Sequence, residues 1–165
     1  MKKNKLHFVT VSAITAALYV VLTVASAVFG LSGGAVQVRL SESLTVLPVL
    51  FPEAVPGLFI GCLLSNILTG CNIVDIIAGS LTTLVAGILT YYAGKKHYIL
   101  GVLPPIILNA VTVSLVLKYS YHLDNGFLFF FFSVFAGEFI SAGIMGILLY
   151  KTLKKTNITD YRKKF

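Results

Sequence analysis

The chain has 165 residues, enough for one domain, of which 57% are hydrophobic and only 12% are charged. A soluble domain carries roughly a quarter charged residues, and it could not keep a wettable exterior over this much apolar surface. The composition therefore excludes an ordinary soluble fold and favours lipid as the solvent. The formal net charge of +7 is concentrated at the two ends and in one short internal turn, which excludes the basic stripe of a nucleic-acid-binding protein.

Six apolar segments predict six helices in a single transmembrane domain, residues 1–165. A crossing needs about 20 mostly apolar residues, so the second and third segments are short and are compatible with tilted crossings or a re-entrant pair. Pro52 ends the second helix, Pro56 falls in the first turn of the third, and a turn at Asn125 and Gly126 precedes the last. In chain order the helices are predicted from about Leu6 to Phe29, Ser41 to Phe51, Pro56 to Leu68, Ile73 to Ala93, Tyr98 to Leu117 and Phe127 to Leu153.

The distribution of lysine and arginine predicts the orientation, because cytoplasmic loops are enriched in both. With the N-terminus in the cytoplasm, six crossings return the C-terminus to the same side, and only Arg39 and Lys118 then lie outside. Removing one crossing would put the basic tail on the wrong side. The cytoplasmic set is Lys2, Lys3, Lys5, Lys95, Lys96, Lys151, Lys154, Lys155, Arg162, Lys163 and Lys164.

Polar residues inside the apolar segments are candidate ligand contacts, because ionisable groups are costly in a bilayer. Glu138 is the strongest candidate, since it falls near the middle of the last helix. Asp75 is equally compatible with a carboxylate at a helix N-terminus, and Asn66 and Asn109 with hydrogen bonding between helices. All the candidates map to the outer half or the midplane, as expected of a pocket open to the outside: Arg39, Glu42, Asn66, Asp75, Asn109 and Glu138.

Two stripes of small residues predict close helix packing. Ala13 and Ala17 lie one turn apart in the cytoplasmic half of the first helix, where packing inside the protein and docking of a partner are equally compatible with the sequence. Gly57, Gly61 and Ser65 repeat this spacing on the third helix, and we interpret them as internal packing.

Several kinds of chemistry are excluded by missing motifs. The chain has no phosphate-binding P-loop, so it does not hydrolyse ATP itself, and no His-Glu-x-x-His or Gly-x-Ser-x-Gly motif. Cys62 and Cys71 have no histidine nearby in the sequence and are interpreted as small apolar residues, not as metal ligands. We therefore expect a protein that is not an enzyme and has no metal or cofactor.

Several ordered motifs, from about Val9 to Leu149, resemble the QueT family, the substrate-binding S components of energy-coupling factor (ECF) transporters for queuosine precursors. Most of them contain a candidate ligand residue. They are the segment from Val36 to Pro48, the segment from Pro56 to Cys62, the segment from Asp75 to Leu84, Pro104-Pro105 followed by Asn109, and Gly137-Glu138.

The resemblance implies an S-component fold of six helices in the cell membrane, with the substrate bound at the outer side. It implies that Ala13 and Ala17 dock the transmembrane coupling subunit and that two ATPase subunits complete the importer. It also implies a 7-deazaguanine ligand such as preQ1, preQ0 or queuine. A carboxylate such as Glu138 can accept the two adjacent N–H donors of its guanine-like edge, and an asparagine can pair with its remaining polar atoms.

Two alternatives stay open on the sequence. The chain could be an S component for another vitamin-like or purine-like solute, or a stand-alone secondary transporter. Association with coupling and ATPase subunits distinguishes the second alternative from an S component.

Overall fold

The computed structural model describes residues 2–31, 37–122 and 124–156, and every regular element in these ranges is helical. The sequence also predicts a break after the first helix at Gly33 and Gly34, and these glycines, like the basic residues Arg162, Lys163 and Lys164, lie outside the described residues. In chain order the elements are α1 (Lys2–Val28), a 3₁₀ helix (Leu40–Val49), α2 (Ala54–Leu68), α3 (Ile73–Gly94), a 3₁₀ turn (Leu100–Val102), α4 (Leu103–Tyr119), α5 (Phe127–Glu138), a π-helical segment (Phe139–Met145) and α6 (Gly146–Lys155).

Four helical stretches are long and apolar enough to cross a membrane: Lys5–Val28, Ile73–Gly94, Leu100–Tyr119 and Phe127–Lys155. The 3₁₀ helix and α2 have 10 and 15 residues. At rises of about 2.0 and 1.5 Å per residue they span only about 20 and 22 Å, less than the roughly 30 Å of a hydrocarbon core. The all-helical membrane fold is confirmed, as is the shortness of the second and third helices, whereas the count of six crossings stays a prediction.

The outward faces of the bundle are apolar along most of its length. Val21, Ile67, Phe132 and Leu148 are each more than half exposed, at 63%, 53%, 65% and 59%. Side chains of this kind on every long helix would form a large apolar surface in water, which soluble monomers do not show. Acyl chains are their natural neighbours.

The 3₁₀ helix lies in the centre of the bundle, and all of its residues from Ser41 to Pro48 are buried. Its tight geometry follows from hydroxyl side chains that bond three residues back: Ser43 Oγ donates to the Leu40 carbonyl and Thr45 Oγ1 to the Glu42 carbonyl, both at 2.6 Å. Apolar clusters pack on its two sides. One contains Tyr19, Leu44, Leu47 and Leu58, and the other Val46, Val102, Ile106 and Ala142.

α2 corresponds to the third helix predicted from the sequence. Its glycines allow it to pack closely on α1, as the stripe of small residues predicted. A Cβ at Gly57 would overlap the Ser12 carbonyl oxygen, and one at Gly61 would come within 2.7 Å of the Tyr19 Cβ. Ala13 and Ala17 lie instead on the exposed side of α1. The glycine stripe is therefore internal packing, and the two alanines are available to a neighbour in the membrane.

Helix ends bring polar residues to one end of the bundle. α1, α2 and α4 end there, and α3 and α5 begin there. Gly30 and Gly70, with φ of 69° and 72°, allow the chain to leave α1 and α2 in the left-handed conformation that glycine favours. The Asn72 side chain caps α3 by accepting a bond of 3.1 Å from the Val74 N–H.

Candidate binding site

All six polar candidates from the sequence line two adjoining cavities at this end of the bundle. The narrow cavity, of about 10 Å³, lies deeper among the 3₁₀ helix, α4 and α5, and the wide cavity, of about 260 Å³, lies among α1, α2, α3 and the end of α4. Gln37, Arg39 and Val113 line both. Glu42, Asn109 and Glu138 line the narrow cavity, and Asn66 and Asp75 line the wide one.

The narrow cavity is built around two carboxylates that share one amide. Asn109 Nδ2 donates to Glu42 Oε2 at 3.2 Å and to Glu138 Oε1 at 3.1 Å, so both of its hydrogens are used. The other oxygen of Glu42 accepts a short hydrogen bond from the Tyr19 hydroxyl. Both oxygens of Glu42 are thus bonded inside the protein.

Glu138 differs from Glu42 in having an oxygen left over. Its side chain is only 6% exposed, and its Oε2 is buried without a hydrogen-bond partner among the described residues. An unbonded carboxylate oxygen in a buried site is costly, and in native structures such an oxygen usually meets a water, an ion or a ligand. Glu138 is the last residue of α5, directly before the π-helical segment, and such segments are frequent at functional sites.

A close approach of two backbone segments and two hydrogen bonds to α1 hold this cavity in shape. Gly137 has no side chain where the backbone of Gln37 passes, so a Cβ there would overlap the Gln37 carbonyl oxygen. At the start of the 3₁₀ helix, the Leu40 N–H donates to Ser26 Oγ at 2.9 Å, and Thr23 Oγ1 donates to Ser41 Oγ at 2.8 Å. The segment that contains Arg39 and Glu42 is therefore fixed to α1.

The wide cavity contains a second carboxylate with an unused oxygen. Asp75 is 5% exposed, its Oδ2 accepts from the Tyr121 hydroxyl at 3.3 Å, and its Oδ1 is buried without a hydrogen-bond partner among the described residues. Burial raises the pKa of Tyr121, and Asp75 raises it further, although the bond from the Asn72 N–H opposes this. Tyr121 thus stays protonated and donates to Asp75.

Asn66 is less available than the two carboxylates. It is 1% exposed, and its Nδ2 donates to the Cys62 sulfur at 3.6 Å, while the same sulfur accepts from Thr83 Oγ1 at 3.4 Å. These contacts link α2 to α3, which fits a role in helix packing as well as in lining the wide cavity. Cys62 is buried, as expected of a small apolar residue, while Cys71 is half-buried at the wide cavity.

The charge around the two cavities is predominantly negative. Among the described lining residues, Glu42, Asp75 and Glu138 are acidic and Arg39 is basic. Burial lowers the pKa of Arg39, but its neighbours, Tyr19 first and then Asp75, Cys62 and Glu42, together raise it by more, so Arg39 keeps its charge. A ligand with a positive group and several N–H donors would complement this arrangement.

Two tyrosines in the site were missed by the sequence reasoning. Tyr19 belongs to a buried stripe on α1 with Thr15, Thr23 and Ser26, and this spacing of three to four residues was a readable signal of a polar inner face. Tyr121 lies just beyond α4, where the sequence showed only a polar loop. Within the described ranges, no group of three or more histidine, cysteine or acidic residues could hold a metal ion.

Two comparisons with known proteins agree with each other. The sequence model of the QueT transporter family matches residues 9–155. The queuosine precursor transporter QueT of Lactococcus lactis subsp. cremoris (strain MG1363) is 31% identical over 171 residues, which cover 96% of this chain and 99% of that protein. No solved structure matches the chain.

Proposed function

Because the chain belongs to the QueT transporter family, we propose that it captures a queuosine precursor at the outer side of the cell membrane for import. The ligand is a 7-deazaguanine such as preQ1, preQ0 or queuine. The chain acts as the S component of an ECF importer, in which a coupling subunit and two ATPase subunits supply the motor. It is a membrane transporter and not an enzyme.

The unbonded oxygen of Glu138 carries the assignment of the ligand. The guanine-like edge of a 7-deazaguanine presents two adjacent donors, the ring N–H and the exocyclic amine. A carboxylate can accept both at once, a charge-assisted pair that is strong in a buried site. Glu138 Oε2 is free for one of these donors, and Oε1 keeps a lone pair after accepting from Asn109.

The wide cavity accommodates the rest of the ligand. Asp75 Oδ1 offers a second unbonded acceptor there. A cationic aminomethyl substituent would pair with it and reduce the excess of negative charge in the two cavities. A neutral nitrile would leave that charge uncompensated. This favours preQ1 over preQ0 among the possible precursors.

We also propose that the chain crosses the membrane six times, with both ends in the cytoplasm and the two cavities facing outward. The distribution of lysine and arginine supports this orientation. In a background with Cys62→Ala and Cys71→Ala, Asn125→Cys should react with an impermeant thiol reagent on intact cells, and Lys96→Cys should react only after permeabilisation. The opposite pattern would refute the orientation.

Ala13 and Ala17 are the proposed docking site for the coupling subunit. They are exposed on α1, while the buried face of the same helix packs on α2 and the 3₁₀ helix. Small residues let a second helix approach closely, and close contact drives helix association in membranes. The exposed Ile14, Leu18 and Val21 continue this apolar face toward the outer side.

Uptake by cells tests the function as a whole. Cells that lack their own route to queuosine should accumulate a labelled 7-deazaguanine only when this chain is expressed together with an ECF coupling subunit and its ATPases. An ATPase subunit with an inactivated P-loop is the matched control and should abolish accumulation. Uptake by this chain alone would identify a stand-alone secondary transporter, and uptake of a different solute would identify another S component.

A further inference from the structure

We propose that Tyr121 is a further ligand-binding residue, whose ring covers the planar base in the wide cavity and whose hydroxyl holds the α4–α5 loop over it. This inference rests on the proposed function, because it assumes a flat bicyclic ligand. It assigns a role to a residue outside the six polar candidates.

The Tyr121 ring lies at the wide cavity. Among the described residues that line the two cavities, Tyr121 is the one aromatic side chain. It is 39% exposed, although it stands beside a cavity of about 260 Å³. A partly exposed ring next to a polar cavity can stack on a base, and every base offers a π face for such a contact.

The Tyr121 hydroxyl is hydrogen-bonded on both sides. Tyr121 Oη accepts from the Asn72 N–H at 3.0 Å and donates to Asp75 Oδ2 at 3.3 Å. Asn72 Nδ2 also donates to the carbonyl of Ser120, at 3.5 Å. These bonds connect the segment after α4 to the start of α3 beside the wide cavity, so they restrain the ring.

The same bonds leave the ligand its acceptor. The single hydrogen of the Tyr121 hydroxyl is directed at Asp75 Oδ2, so Oδ1 stays free for a positive or N–H group of the ligand. Tyr121 is thus predicted to contribute twice, by stacking on the ring and by orienting Asp75. The two contributions can be separated, because phenylalanine keeps the first and loses the second.

Affinity measurements on two variants separate these contributions. For Tyr121→Leu we expect the affinity for the best-bound 7-deazaguanine to fall roughly 5- to 150-fold, the range for truncating an aromatic ring that stacks on a base. Tyr121→Phe should keep most of the affinity and lose more for a cationic precursor than for a neutral one. Thermal unfolding checks that both variants are folded.

A fluorescent reporter tests the contact directly, because the chain contains no tryptophan. Tyr121→Trp should show a change in emission on adding the ligand. Tyr119→Trp is the matched control: Tyr119 is 66% exposed and lines a different groove, so its emission should not change.

The outcomes are distinguishable. If the unaltered chain binds no 7-deazaguanine, the proposed function fails and this inference fails with it. If the unaltered chain binds but a folded Tyr121→Leu variant binds equally well, or if Tyr121→Trp emission does not respond, only the inference is overturned.

Discussion

Replacing Glu138 by glutamine should weaken ligand binding without destabilising the protein. The substitution keeps the size of the side chain, and its carbonyl oxygen can still accept from Asn109, as Glu138 Oε1 does at 3.1 Å. The amide nitrogen then takes the place of the unbonded Oε2 and directs hydrogens at the N–H donors of the ligand. At least one charge-assisted hydrogen bond is lost, which costs about 1.5–3 kcal/mol, or roughly 13- to 160-fold in Kd.

Glu138→Gln should not lower the thermal midpoint of unfolding, although the loss of a contact usually does. Glu42 and Glu138 both bond the same nitrogen of Asn109, so their carboxylates are close together in a buried site. Removing one of two like charges relieves repulsion. The thermal midpoint of Glu138→Gln in detergent should therefore equal or exceed that of the unaltered protein.

Isothermal titration calorimetry measures the affinity, with Asp124→Asn as the control. Asp124 is exposed on the α4–α5 loop, so this variant removes a carboxylate outside the two cavities and should bind normally. An unchanged Kd for Glu138→Gln across the 7-deazaguanines would refute the role of Glu138. A folded Asp124→Asn variant with an equal loss would show that net charge, and not the contact, sets the affinity.

Two further predictions concern helix surfaces. Ala13→Trp combined with Ala17→Trp should abolish uptake and co-purification with the coupling subunit while ligand binding by the isolated chain stays nearly normal. Uptake that survives would place the docking surface elsewhere, and loss of both folding and binding would assign the alanines to internal packing. Gly57→Ala should lower the free energy of unfolding by about 1–3 kcal/mol, because the added methyl group overlaps the Ser12 carbonyl of α1. Gly126→Ala, which meets nothing within 4 Å, should change it by less than about 0.5 kcal/mol, and equal losses in the two variants would contradict this packing.

Much of the fold could be read from hydrophobic runs and their interruptions. The predicted fourth helix, from about Ile73 to Ala93, matches α3 (Ile73–Gly94), because Asn72 caps its start and a glycine and two lysines follow its last apolar turn. The last predicted helix also matches in extent, but its π-helical segment was not foreseen. A π turn depends on the packing of both faces of a helix, and apolar periodicity does not record it.

The candidate site, like the fold, could be predicted only in part from the sequence. The acidic and amide residues could be predicted, because a polar side chain is costly in a bilayer and stands out in an apolar segment of the sequence. The mid-helix position of Glu138 already made it the strongest candidate, but the sequence did not show that both oxygens of Glu42 are bonded inside the protein. These bonds come from Tyr19 and Asn109, which lie far apart in the sequence. Only the packing of four chain segments brings these groups together.

Direct ligand binding by the purified chain tests the central claim. The chain, in detergent or nanodiscs and without its partner subunits, would be titrated by calorimetry with preQ1, preQ0, queuine and guanine. We expect saturable binding with one site per chain, tighter for the cationic preQ1 than for the neutral preQ0 and guanine, because its aminomethyl cation meets the excess of carboxylates around the two cavities. No binding of any 7-deazaguanine by the folded protein would contradict the account.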